Sequence, residues 1–459
     1  MPLTDHSDFR PIHFVGIAGA GMSALAELLQ RRGVTVSGCD ANSATAADLR
    51  RLGIDVSEGH DRAHAEQARA LVVSSAIPGN HAELERAREL GIPIIRRAEA
   101  LAEAVSGGEV VAIAGTHGKT TTTVMATEAL SSAGREPTGI VGGRVPAWEG
   151  NLSAGSERLF VVEADEFDRS FLALSPDVAV VTNVEADHLD IYADLADIRA
   201  AFTKFIARAR AIVLCADDPG AASLRTSATS DVIRYGVSSR DARLVARDVS
   251  PSATGTDFDV ILDGERLGRA QLAVPGRHNV LNALAAIGCG LALGAGFGGL
   301  SAGLRHFTGV ERRFQRLGDA NGVTIVDDYA HHPTEISATL AAARQAFRGR
   351  RIVLAFQPHL YSRTRDFARE FGAALSGSDV LLLTEIYPAR EQPIPGVTSA
   401  LVAKAVTDAG GTVAWRGPRH ELAVALEEMI RDGDVVLTVG AGDITLTGPE
   451  LLQRMAPVA

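Results

Sequence analysis

Short apolar runs alternate with helical patterns along almost the whole chain, and this alternation restricts the fold more than any other feature. The runs are nearly continuous in Val, Ile, Leu and Ala, as is typical of parallel strands with both faces covered. Strands that alternate with helices indicate βα units around largely parallel sheets. The sequence therefore predicts an α/β protein.

The chain is long enough to form several such sheets. Its 459 residues are about three times the usual domain length of roughly 150. Three of the apolar runs end in glycine-rich or acidic turns, and each opens a different stretch of the βα pattern. We therefore predict three domains, with bounds at 1–107, 108–314 and 315–459.

The individual elements follow from the same pattern. The predicted strands cover residues 12–17, 34–37, 71–75 and 92–95, then 110–114, 159–164 and 178–184, then 323–326, 351–356, 380–384 and 435–439. Helices are predicted over 22–32 and 279–293. Between about 231 and 275 the pattern changes to apolar–polar alternation with turns, which indicates antiparallel strands.

The strongest motif is GTHGKTTTT, which follows an apolar strand and opens a helix, the context of a phosphate-binding loop. Gly115 and Gly118 free the backbone to wrap phosphate oxygens, and the helix N-terminus offers unpaired N–H groups. Lys119 is placed to reach the terminal phosphates and Thr120 to bind Mg²⁺. The strict pattern is missed because Ile113 stands where its first glycine belongs, so an ordinary βα turn with a surface lysine is the alternative.

Acidic residues and a histidine follow the next two predicted strands. They are Glu163, Asp165 and Glu166 after one strand, and Asn183, Glu185, Asp187 and His188 after the other. Ligands bind at the carboxyl ends of parallel strands, and hard cations such as Mg²⁺ take oxygen ligands. The pattern predicts a nucleoside triphosphate site with two metal positions, with helix capping or surface charge as the alternative for each residue.

A second glycine-rich turn, GIAGAG at residues 16–21, lies near the N-terminus. With Asp40 about twenty residues further on, it resembles the dinucleotide-binding fingerprint. Ala18 replaces the second glycine, so a pyrophosphate would approach less closely than in a standard site. The turn could hold NAD, another nucleotide diphosphate, or no ligand.

The third predicted domain carries two polar strand ends. DDYAHHP follows one strand and FQPH another, and the carboxyl ends of parallel strands face the same crevice. Arg363 and Arg365 follow, and their guanidinium groups suit a carboxylate or a phosphate. Asn279 and Asn282, at a predicted helix start, are interpreted as caps by default.

Composition excludes several classes of protein. The net charge of −11 and the 5% of aromatic residues argue against a nucleic-acid binder. Cys39, Cys215 and Cys289 form no C-x-x-C spacing, so the spacing indicates neither a disulfide framework nor a structural zinc site. No apolar stretch is long enough to span a membrane and the N-terminus is polar, so we expect no membrane insertion and a cytoplasmic location.

Ten strings, taken in order, resemble the UDP-N-acetylmuramate:L-alanine ligases, which add the first amino acid in peptidoglycan precursor synthesis. They are HFVGIAGAGMS, VVSSAI, AGTHGKTTTT, VEADEFDRSFL, VVTNVEADHLDIY, HNVLNA, ERRF, VDDYAHHPTE, FQPHLYSRTRDF and TVGAGDI. The resemblance implies an N-terminal Rossmann-like domain for the UDP-sugar, a central P-loop ATPase-type α/β domain and a C-terminal Rossmann-like α/β domain.

The resemblance also implies a role for individual residues. Those implied for the UDP-sugar are Gly16, Ala18, Gly19, Gly21, Met22, Ser23, Asp40, Ser74 and Ser75. Those implied for ATP are Gly115, Thr116, His117, Gly118, Lys119, Thr120, Thr121, Asn279, Asn282, Arg312 and Asp328. Those implied for the amino acid are Tyr329, His359, Arg363 and Arg365. Lys119, Glu163 and His188 are the implied catalytic residues, and Thr120, Glu163 and His188 the implied Mg²⁺ ligands.

The implied reaction joins L-alanine to the lactyl carboxylate of UDP-N-acetylmuramate with ATP and Mg²⁺, in a monomer or weak homodimer. Two residues depart from the family: Ala18, where glycine is frequent, and Leu360, where many members have arginine, so that the carboxylate clamp would depend on Arg363 and Arg365. The alternatives are a murein-peptide recycling ligase, an NAD-dependent oxidoreductase and a non-catalytic nucleotide sensor.

Overall fold

The computed structural model describes residues 3, 7–42, 46–252 and 255–456, and its strands form three sheets. Every predicted strand is present, with its ends shifted by at most three residues. The α/β prediction is therefore confirmed. Among the described residues, no helix is both long and apolar enough to cross a membrane.

The first sheet is five-stranded and parallel throughout, in the order β3-β2-β1-β4-β5. Its strands are β1 (Ile12–Val15), β2 (Val36–Asp40), β3 (Asp55–Glu58), β4 (Ala70–Val73) and β5 (Ile94–Arg96). Its helices are α1 (Ala20–Arg31), α2 (Ala47–Arg51), α3 (Arg62–Gln67), α4 (Ala82–Leu90) and α5 (Arg97–Val105). Since β1 is central, the turn that follows it lies where the strand order reverses, which is a usual position for a ligand.

The second strand begins later than the sequence predicted, at Val36 rather than Val34. Gly33, with a φ of +79°, ends helix α1, and the Val34 N–H donates to the carbonyl of Leu29. Val34 therefore belongs to the helix terminus. The shift brings Asp40 into the last position of the strand, at its carboxyl end.

The second sheet has ten strands in the order β15-β14-β13-β12-β11-β10-β6-β9-β7-β8. The strands are β6 (Glu109–Ala114), β7 (Thr138–Val145), β8 (Gly150–Ser153), β9 (Leu159–Glu163), β10 (Val178–Val181), β11 (Ala211–Cys215), β12 (Asp231–Gly236), β13 (Leu244–Pro251), β14 (Thr256–Leu262) and β15 (Glu265–Leu272). The helices are α6 (Lys119–Ser132), α7 (Leu195–Ile206), α8 (Pro219–Ala222), α9 (Arg277–Ala292) and α10 (Phe297–His306). Strand β6 pairs in parallel with both β9 and β10, so the carboxyl ends of these three strands are adjacent.

The antiparallel prediction for residues 231–275 is correct only in part. Strands β12 and β13 pair in parallel, which the alternating pattern could not distinguish. Strands β14 and β15 form a hairpin through the two-residue turn Asp263 and Gly264, with φ values of +50° and +88°. Positive φ at both positions is the geometry of a type I′ turn, which Asp-Gly favours.

The third sheet has six strands in the order β16-β17-β21-β18-β19-β20, with only the β16–β17 pair antiparallel. The strands are β16 (Gln315–Ala320), β17 (Val323–Asp328), β18 (Ile352–Phe356), β19 (Val380–Thr384), β20 (Val413–Gly417) and β21 (Val435–Val439). The helices are α11 (Pro333–Ala346), α12 (Tyr361–Asp366), α13 (Ala368–Leu375), α14 (Ser399–Asp408), α15 (Leu422–Met429) and α16 (Thr447–Met455). One apolar core packs around Phe356 and Phe371, and a second around Val353 and Leu382, so both sheet faces are covered.

Candidate functional site

The loop between β6 and α6 has a backbone that only glycine can adopt at two positions. Gly115 has a φ of +144°, and a Cβ added there would lie 1.9 Å from the hydroxyl of Thr182. Gly118 has a φ of +81°, and its added Cβ would lie 2.7 Å from the amide oxygen of Asn282. The chain therefore wraps closely at the N-terminus of α6, where backbone N–H groups can receive an anion.

Asn183, which follows strand β10, anchors this loop through hydrogen bonds to its backbone. Its amide oxygen accepts from the His117 N–H at 2.7 Å, and its amide nitrogen donates to the His117 carbonyl at 3.0 Å. Its own carbonyl accepts from the Thr116 N–H at 3.1 Å. The Thr116 hydroxyl accepts from the Glu185 N–H at 2.9 Å. These bonds fix the loop to the neighbouring strand and limit its motion.

Lys119 begins helix α6, and its side chain is only 14% exposed. The ammonium donates to the two carboxylate oxygens of Glu166 at 2.7 and 3.0 Å and to the carbonyl of Gly115 at 2.7 Å. Burial by itself would lower the pKa of Lys119, but the Glu166 and Asp165 carboxylates raise it above its ordinary value. The loop therefore keeps a positive charge at the helix N-terminus.

The three residues implied as Mg²⁺ ligands make two separate contacts: Thr120 contacts Glu163, and His188 contacts Glu166. The Thr120 hydroxyl donates to one carboxylate oxygen of Glu163 at 3.0 Å, and the Gly142 N–H donates to the other at 2.7 Å. The imidazole Nε2 of His188 lies 3.6 Å from the Glu166 carboxylate. A hydroxyl and a carboxylate next to a helix N-terminus are hard oxygen donors, so this site fits Mg²⁺ with a phosphate.

Thr121 and Asn282, which are also implied for ATP, lie beside the loop. Thr121 is buried in the first turn of α6. Asn282 lies within the second turn of α9, next to Gly118. The side chain of Asn279 donates to the carbonyl of Pro275 at 2.7 Å. Neither asparagine is at the N-cap, because α9 begins at Arg277, and the capping interpretation is therefore wrong.

The glycine-rich turn between β1 and α1 is held by strand β2. Gly16 has a φ of +81°, and its N–H donates to the carbonyl of Cys39 at 2.8 Å. The Ala18 N–H donates to the carboxylate of Asp40 at 3.0 Å. In this structure Asp40 therefore orders the turn itself.

Arg97 is a basic group close to this turn. A Cβ on Gly21 would lie 2.9 Å from its guanidinium, so glycine leaves space for that side chain. Gly19 is the N-cap of α1. The other residues implied for the UDP-sugar are Met22, which is buried, Ser23, which is half-buried and bonds the Ala20 carbonyl, Ser74, which is half-buried, and Ser75, which is exposed.

In the third sheet, Arg312 lies at the carboxyl ends of β17 and β21. Its guanidinium is 3.3 Å from the carboxylate of Asp327, donates to the carbonyl of Gly440 at 2.6 Å and lies 4.8 Å from the ring centroid of Tyr329. These contacts fix the guanidinium plane and leave Tyr329 stacked against it.

Asp328 ends strand β17 and is buried. Its carboxylate accepts from the backbone N–H groups of Phe314 and Ala330, both at 2.8 Å. Burial raises the pKa of Asp328 to about 6, although Arg313 acts against this shift. The carboxyl therefore holds its proton more tightly than an exposed aspartic acid does.

Tyr329 and His359, two of the residues implied for the amino acid, lie in a row of four rings beyond β17 and β18. Tyr329 meets His331 edge-on with centroids 5.2 Å apart, His331 lies 5.7 Å from His359, and His359 stacks on Tyr387 at 5.8 Å. The Arg363 guanidinium, which is buried, lies 3.4 Å from the Nδ1 atom of His359. The structure therefore places Arg363 beside the row that contains Tyr329 and His359.

Arg365 is placed differently. It is half exposed, and its guanidinium pairs with Asp366 at 2.6 Å. The nearby Leu360 is buried, with a φ of +70° at the N-cap of α12. The structure therefore supports Arg363 more than Arg365 as the group that would hold a carboxylate.

Models of one family match three consecutive stretches of the chain. The Mur ligase family catalytic domain matches residues 11–108, the Mur ligase middle domain residues 113–290, and the Mur ligase glutamate ligase domain residues 312–442. The chain belongs to the Mur ligase family. The predicted three-part α/β architecture is confirmed.

Individual members of the Mur ligase family are similar over nearly the whole length. The UDP-N-acetylmuramate–L-alanine ligase of Acidothermus cellulolyticus is 47% identical over 96% of this chain and 94% of its own. That of Streptomyces avermitilis is 45% identical over 97% of both chains. These similarities confirm the resemblance found in the ten strings.

Solved structures show the same relationship. The UDP-N-acetylmuramate–alanine ligase from Thermotoga maritima has a TM-score of 0.83 at 30% identity, covering 97% of this chain and 98% of that chain. A murein peptide ligase from Psychrobacter arcticus has a TM-score of 0.71 at 25% identity, covering 98% of this chain and 99% of that chain. The similarity is thus greater to the alanine ligase.

Three residues at the two glycine-rich turns make contacts that the sequence pattern does not predict. Glu166 was one acid among several, yet it is the partner of Lys119. Asn183 is among the residues predicted for the triphosphate site, but its hydrogen bond to the His117 backbone is not predicted, and Arg97 is not among the predicted site residues. The consecutive carboxylates of the EADE string gave a signal for Glu166, whereas Arg97 comes from a helix remote in sequence from the turn it approaches.

Proposed function

We propose that the protein catalyses the ATP-dependent ligation of L-alanine to the lactyl carboxylate of UDP-N-acetylmuramate, releasing ADP and phosphate. The observation that carries the proposal is the charged Lys119 at the first position of α6, held over a loop of two glycines whose conformation excludes other residues. The names of relatives at 45–47% identity supply the substrates.

The reaction needs an activated acid, because a carboxylate at neutral pH is a poor electrophile. Transfer of the terminal phosphoryl group of ATP to a carboxylate oxygen gives an acyl phosphate and ADP. The neutral amine of L-alanine then attacks the acyl carbon, and the tetrahedral intermediate expels phosphate and loses the amine proton. The amide bond forms as the bond from carbon to the phosphoryl oxygen breaks.

Lys119 stabilises the negative charge of the phosphoryl group as it is transferred. The group carries negative charge on its non-bridging oxygens, and a positioned cation stabilises that charge most strongly away from bulk water. Glu166 holds the ammonium at the loop in this structure, and we infer that a phosphate oxygen replaces part of that contact when ATP binds. Glu166 is thus a positioning residue, since it acts through Lys119.

The metal-binding roles are assigned to Thr120, Glu163 and His188. Bound there, Mg²⁺ supplies further neutralisation of phosphate charge. The chain's own contribution is orientation: the Gly142 N–H fixes the Glu163 carboxylate that faces the Thr120 hydroxyl. The remaining ATP contacts are assigned to residues 115–118, Thr121, Asn279, Asn282, Arg312 and Asp328.

The other two substrates are assigned to the remaining turns. For the UDP-sugar we propose the turn at residues 16–23 with Asp40, Ser74 and Ser75, and for L-alanine we propose Tyr329, His359 and Arg363, with Arg365 in a lesser role. The domains would be 1–107, 108–314 and 315–459, which the three family matches support. We further propose a cytoplasmic enzyme that acts as a monomer or weak homodimer on small molecules.

The three alternative functions account for fewer of the observations. Murein-peptide recycling ligases are represented by structures at 25% identity over 98% of this chain and 31% over 66% of it, against 45–47% over nearly the whole chain for the alanine ligases. An NAD-dependent oxidoreductase would use the first glycine-rich turn and leave the Lys119–Glu166 pair without a role. A non-catalytic sensor would not need a second substrate.

Phosphate release distinguishes these possibilities. The proposal expects release only when ATP, UDP-N-acetylmuramate and L-alanine are all present, with far slower release when a tripeptide replaces L-alanine. Faster release with the tripeptide would identify the recycling ligase. No dependence on the amino acid would contradict ligation altogether.

A further inference from the structure

A cluster of metal-binding side chains lies in the first sheet, away from the Lys119 loop. His13 comes from β1, Cys39 from β2, His64 from α3 and Glu83 from α4, and one ligand atom of each lies within 4.8 Å of the others. Three of the four side chains are buried, with exposures of 3% for His13 and 0% for Cys39 and Glu83. The proposed ligase reaction uses none of them.

We propose that this cluster is a zinc site with His13 Nε2, Cys39 Sγ, His64 Nδ1 and Glu83 as its ligands. The inference is independent of the proposed function. Thiolate, imidazole and carboxylate are the ligands of Zn²⁺ in proteins, and four protein ligands are typical of a structural site.

The distances suit a tetrahedral ion. With zinc bonds of about 2.0–2.3 Å, the edges of a tetrahedron measure about 3.3–3.8 Å. The Nε2 of His13 lies 3.4 Å from the Cys39 sulfur and 3.7 Å from Glu83 Oε2, and the sulfur lies 3.2 and 3.4 Å from the two Glu83 oxygens. His64 Nδ1 is 3.0 Å from Glu83 Oε1, and a His64 ligand atom lies within 4.8 Å of those of His13 and Cys39, so the side chains would have to close on the ion to complete the set.

The charges also balance. Glu83 is a carboxylate with no exposed surface, and a buried charge has to be compensated by the groups that contact it, here His64, Cys39 and the Asp61 N–H. Zinc displaces the proton of the Cys39 thiol, so the thiolate and the carboxylate together carry two negative charges against two positive charges on the ion. The resulting neutral group suits a buried position between helices and sheet.

The surroundings orient the ligands as metal sites require. The second ring nitrogen of His13, Nδ1, lies 2.9 Å from the hydroxyl of Ser37, which directs Nε2 toward the cluster. The Asp61 N–H donates to Glu83 Oε1 at 3.0 Å. His60 Nδ1 lies 3.1 Å from the Cys39 sulfur and its side chain is 24% exposed, which gives a path from solvent.

The spacing of the cysteines gave no sign of zinc because each ligand comes from a different element. The site lies directly behind the first glycine-rich turn, since the Cys39 carbonyl accepts the N–H groups of Gly16 and Ile17 at 2.8 and 3.1 Å. Zinc on the Cys39 side chain would therefore stiffen the strand that holds this turn.

The test uses the full-length protein, freed of metal with a chelator and titrated with Co²⁺ in excess Mg²⁺. We expect one tight Co²⁺ per chain, with the near-ultraviolet absorption of a cobalt thiolate, displaced by Zn²⁺. Cys39→Ser should lose this absorption. Cys289→Ser is the matched control, because Cys289 is equally buried and lies on α9, and it should keep the absorption.

A second variant keeps all four ligands and guards against misfolding. Ser37→Ala removes only the group that orients His13 and should weaken Co²⁺ binding about 10- to 100-fold, with an unchanged circular dichroism spectrum. A cobalt thiolate absorption that persists in Cys39→Ser, an unaltered affinity in Ser37→Ala, or no thiolate absorption in the unmodified protein would overturn the proposal. None of these readouts depends on ligase activity, so the two proposals fail separately.

Discussion

The two glycine-rich turns of the chain have the same construction and different chemistry. Each joins a central parallel strand to a helix through a glycine of positive φ. A Cβ on Gly16 would meet its nearest neighbour, Ile77, at 3.6 Å, whereas a Cβ on Gly115 would meet Thr182 at 1.9 Å. The second turn also carries Lys119 on a buried carboxylate, while the first carries no lysine.

The difference indicates a division of labour. Backbone N–H groups at a helix N-terminus suffice to bind a phosphate that stays intact. A phosphoryl group that moves needs a charge fixed where the negative charge develops. We therefore expect the tight turn with Lys119 to take part in the reaction and the more open turn, which has no lysine, to bind only.

The largest expected effect comes from removing that charge. Lys119→Ala should lower the rate of ligation at least about 10³-fold, because the charge on the transferring group loses its fixed partner. Binding of UDP-N-acetylmuramate, measured by calorimetry, should be unchanged. The matched control is Lys204→Ala, an exposed lysine on α7, which should keep full activity.

Retained turnover in Lys119→Ala would contradict the comparison, because the lysine would then give its turn no catalytic role that the other turn lacks. Loss of UDP-sugar binding in the same variant would instead show that the two turns do not act separately.

Adding one methyl group to each turn tests the difference in space. Gly115→Ala combines a positive φ with a clash against Thr182, and should lower the free energy of unfolding by about 2–6 kcal/mol. Gly16→Ala brings backbone strain alone, worth about 1–2 kcal/mol. Gly33→Ala, with a positive φ and open space, is the control for strain. Urea unfolding gives all three values; equal losses at Gly115 and Gly16 would remove the distinction.

The two buried carboxyl groups of Glu166 and Asp328 give a third comparison, because their pKa values shift in opposite directions. Burial would raise the pKa of Glu166, but Lys119 and His188 bring it below its ordinary value, whereas burial raises the pKa of Asp328 to about 6. A raised pKa means that the folded state holds its proton more tightly, so this group's contribution to stability falls as pH rises from about 4 to 6.

Asp328→Asn should abolish that contribution. Relative to the unmodified protein, its free energy of unfolding should rise by up to about 3 kcal/mol between pH 4 and pH 7. Fluorescence of Trp415 on β20, in a Trp148→Phe background, follows the sheet that carries Asp328. A difference that stays constant across this pH range would show that Asp328 is ionised in the folded state throughout.

The smallest effect is expected at Ala18, where the family often has glycine. Ala18→Gly should lower the free energy of unfolding by about 0.5–1 kcal/mol and tighten UDP-sugar binding slightly, since the backbone can approach the diphosphate more closely. Calorimetry measures the affinity. A gain of tenfold or more would show that the alanine was limiting the approach.

Much of the fold was predictable because its signals are local. The apolar runs of β6, β18 and β21 are covered on both faces, and the Lys119 loop needs its glycines at fixed positions. Strand β7 was missed because its glycines, in TGIVGGRV, weaken the strand pattern. Strand β16 is a partly exposed antiparallel edge and lacks the apolar run.

The site was less predictable because its contacts are not local. Glu163, Asp165 and Glu166 are near neighbours in sequence, and which one reaches Lys119 depends on the turn after β9, where Asp168 has a φ of +53°. The residues around Glu83 come from four elements, so no spacing in the sequence brings them together. Pairing across elements is set by the packed structure.

The most direct test is a crystal structure with UDP-N-acetylmuramate, Mg²⁺ and a non-hydrolysable ATP analogue together. The account predicts the triphosphate at the loop of Gly115 and Gly118, its terminal phosphate within about 3 Å of the Lys119 ammonium, and the UDP diphosphate at the turn of Gly16. A triphosphate bound at the Gly16 turn, or a Lys119 loop that holds no phosphate in that crystal, would contradict it.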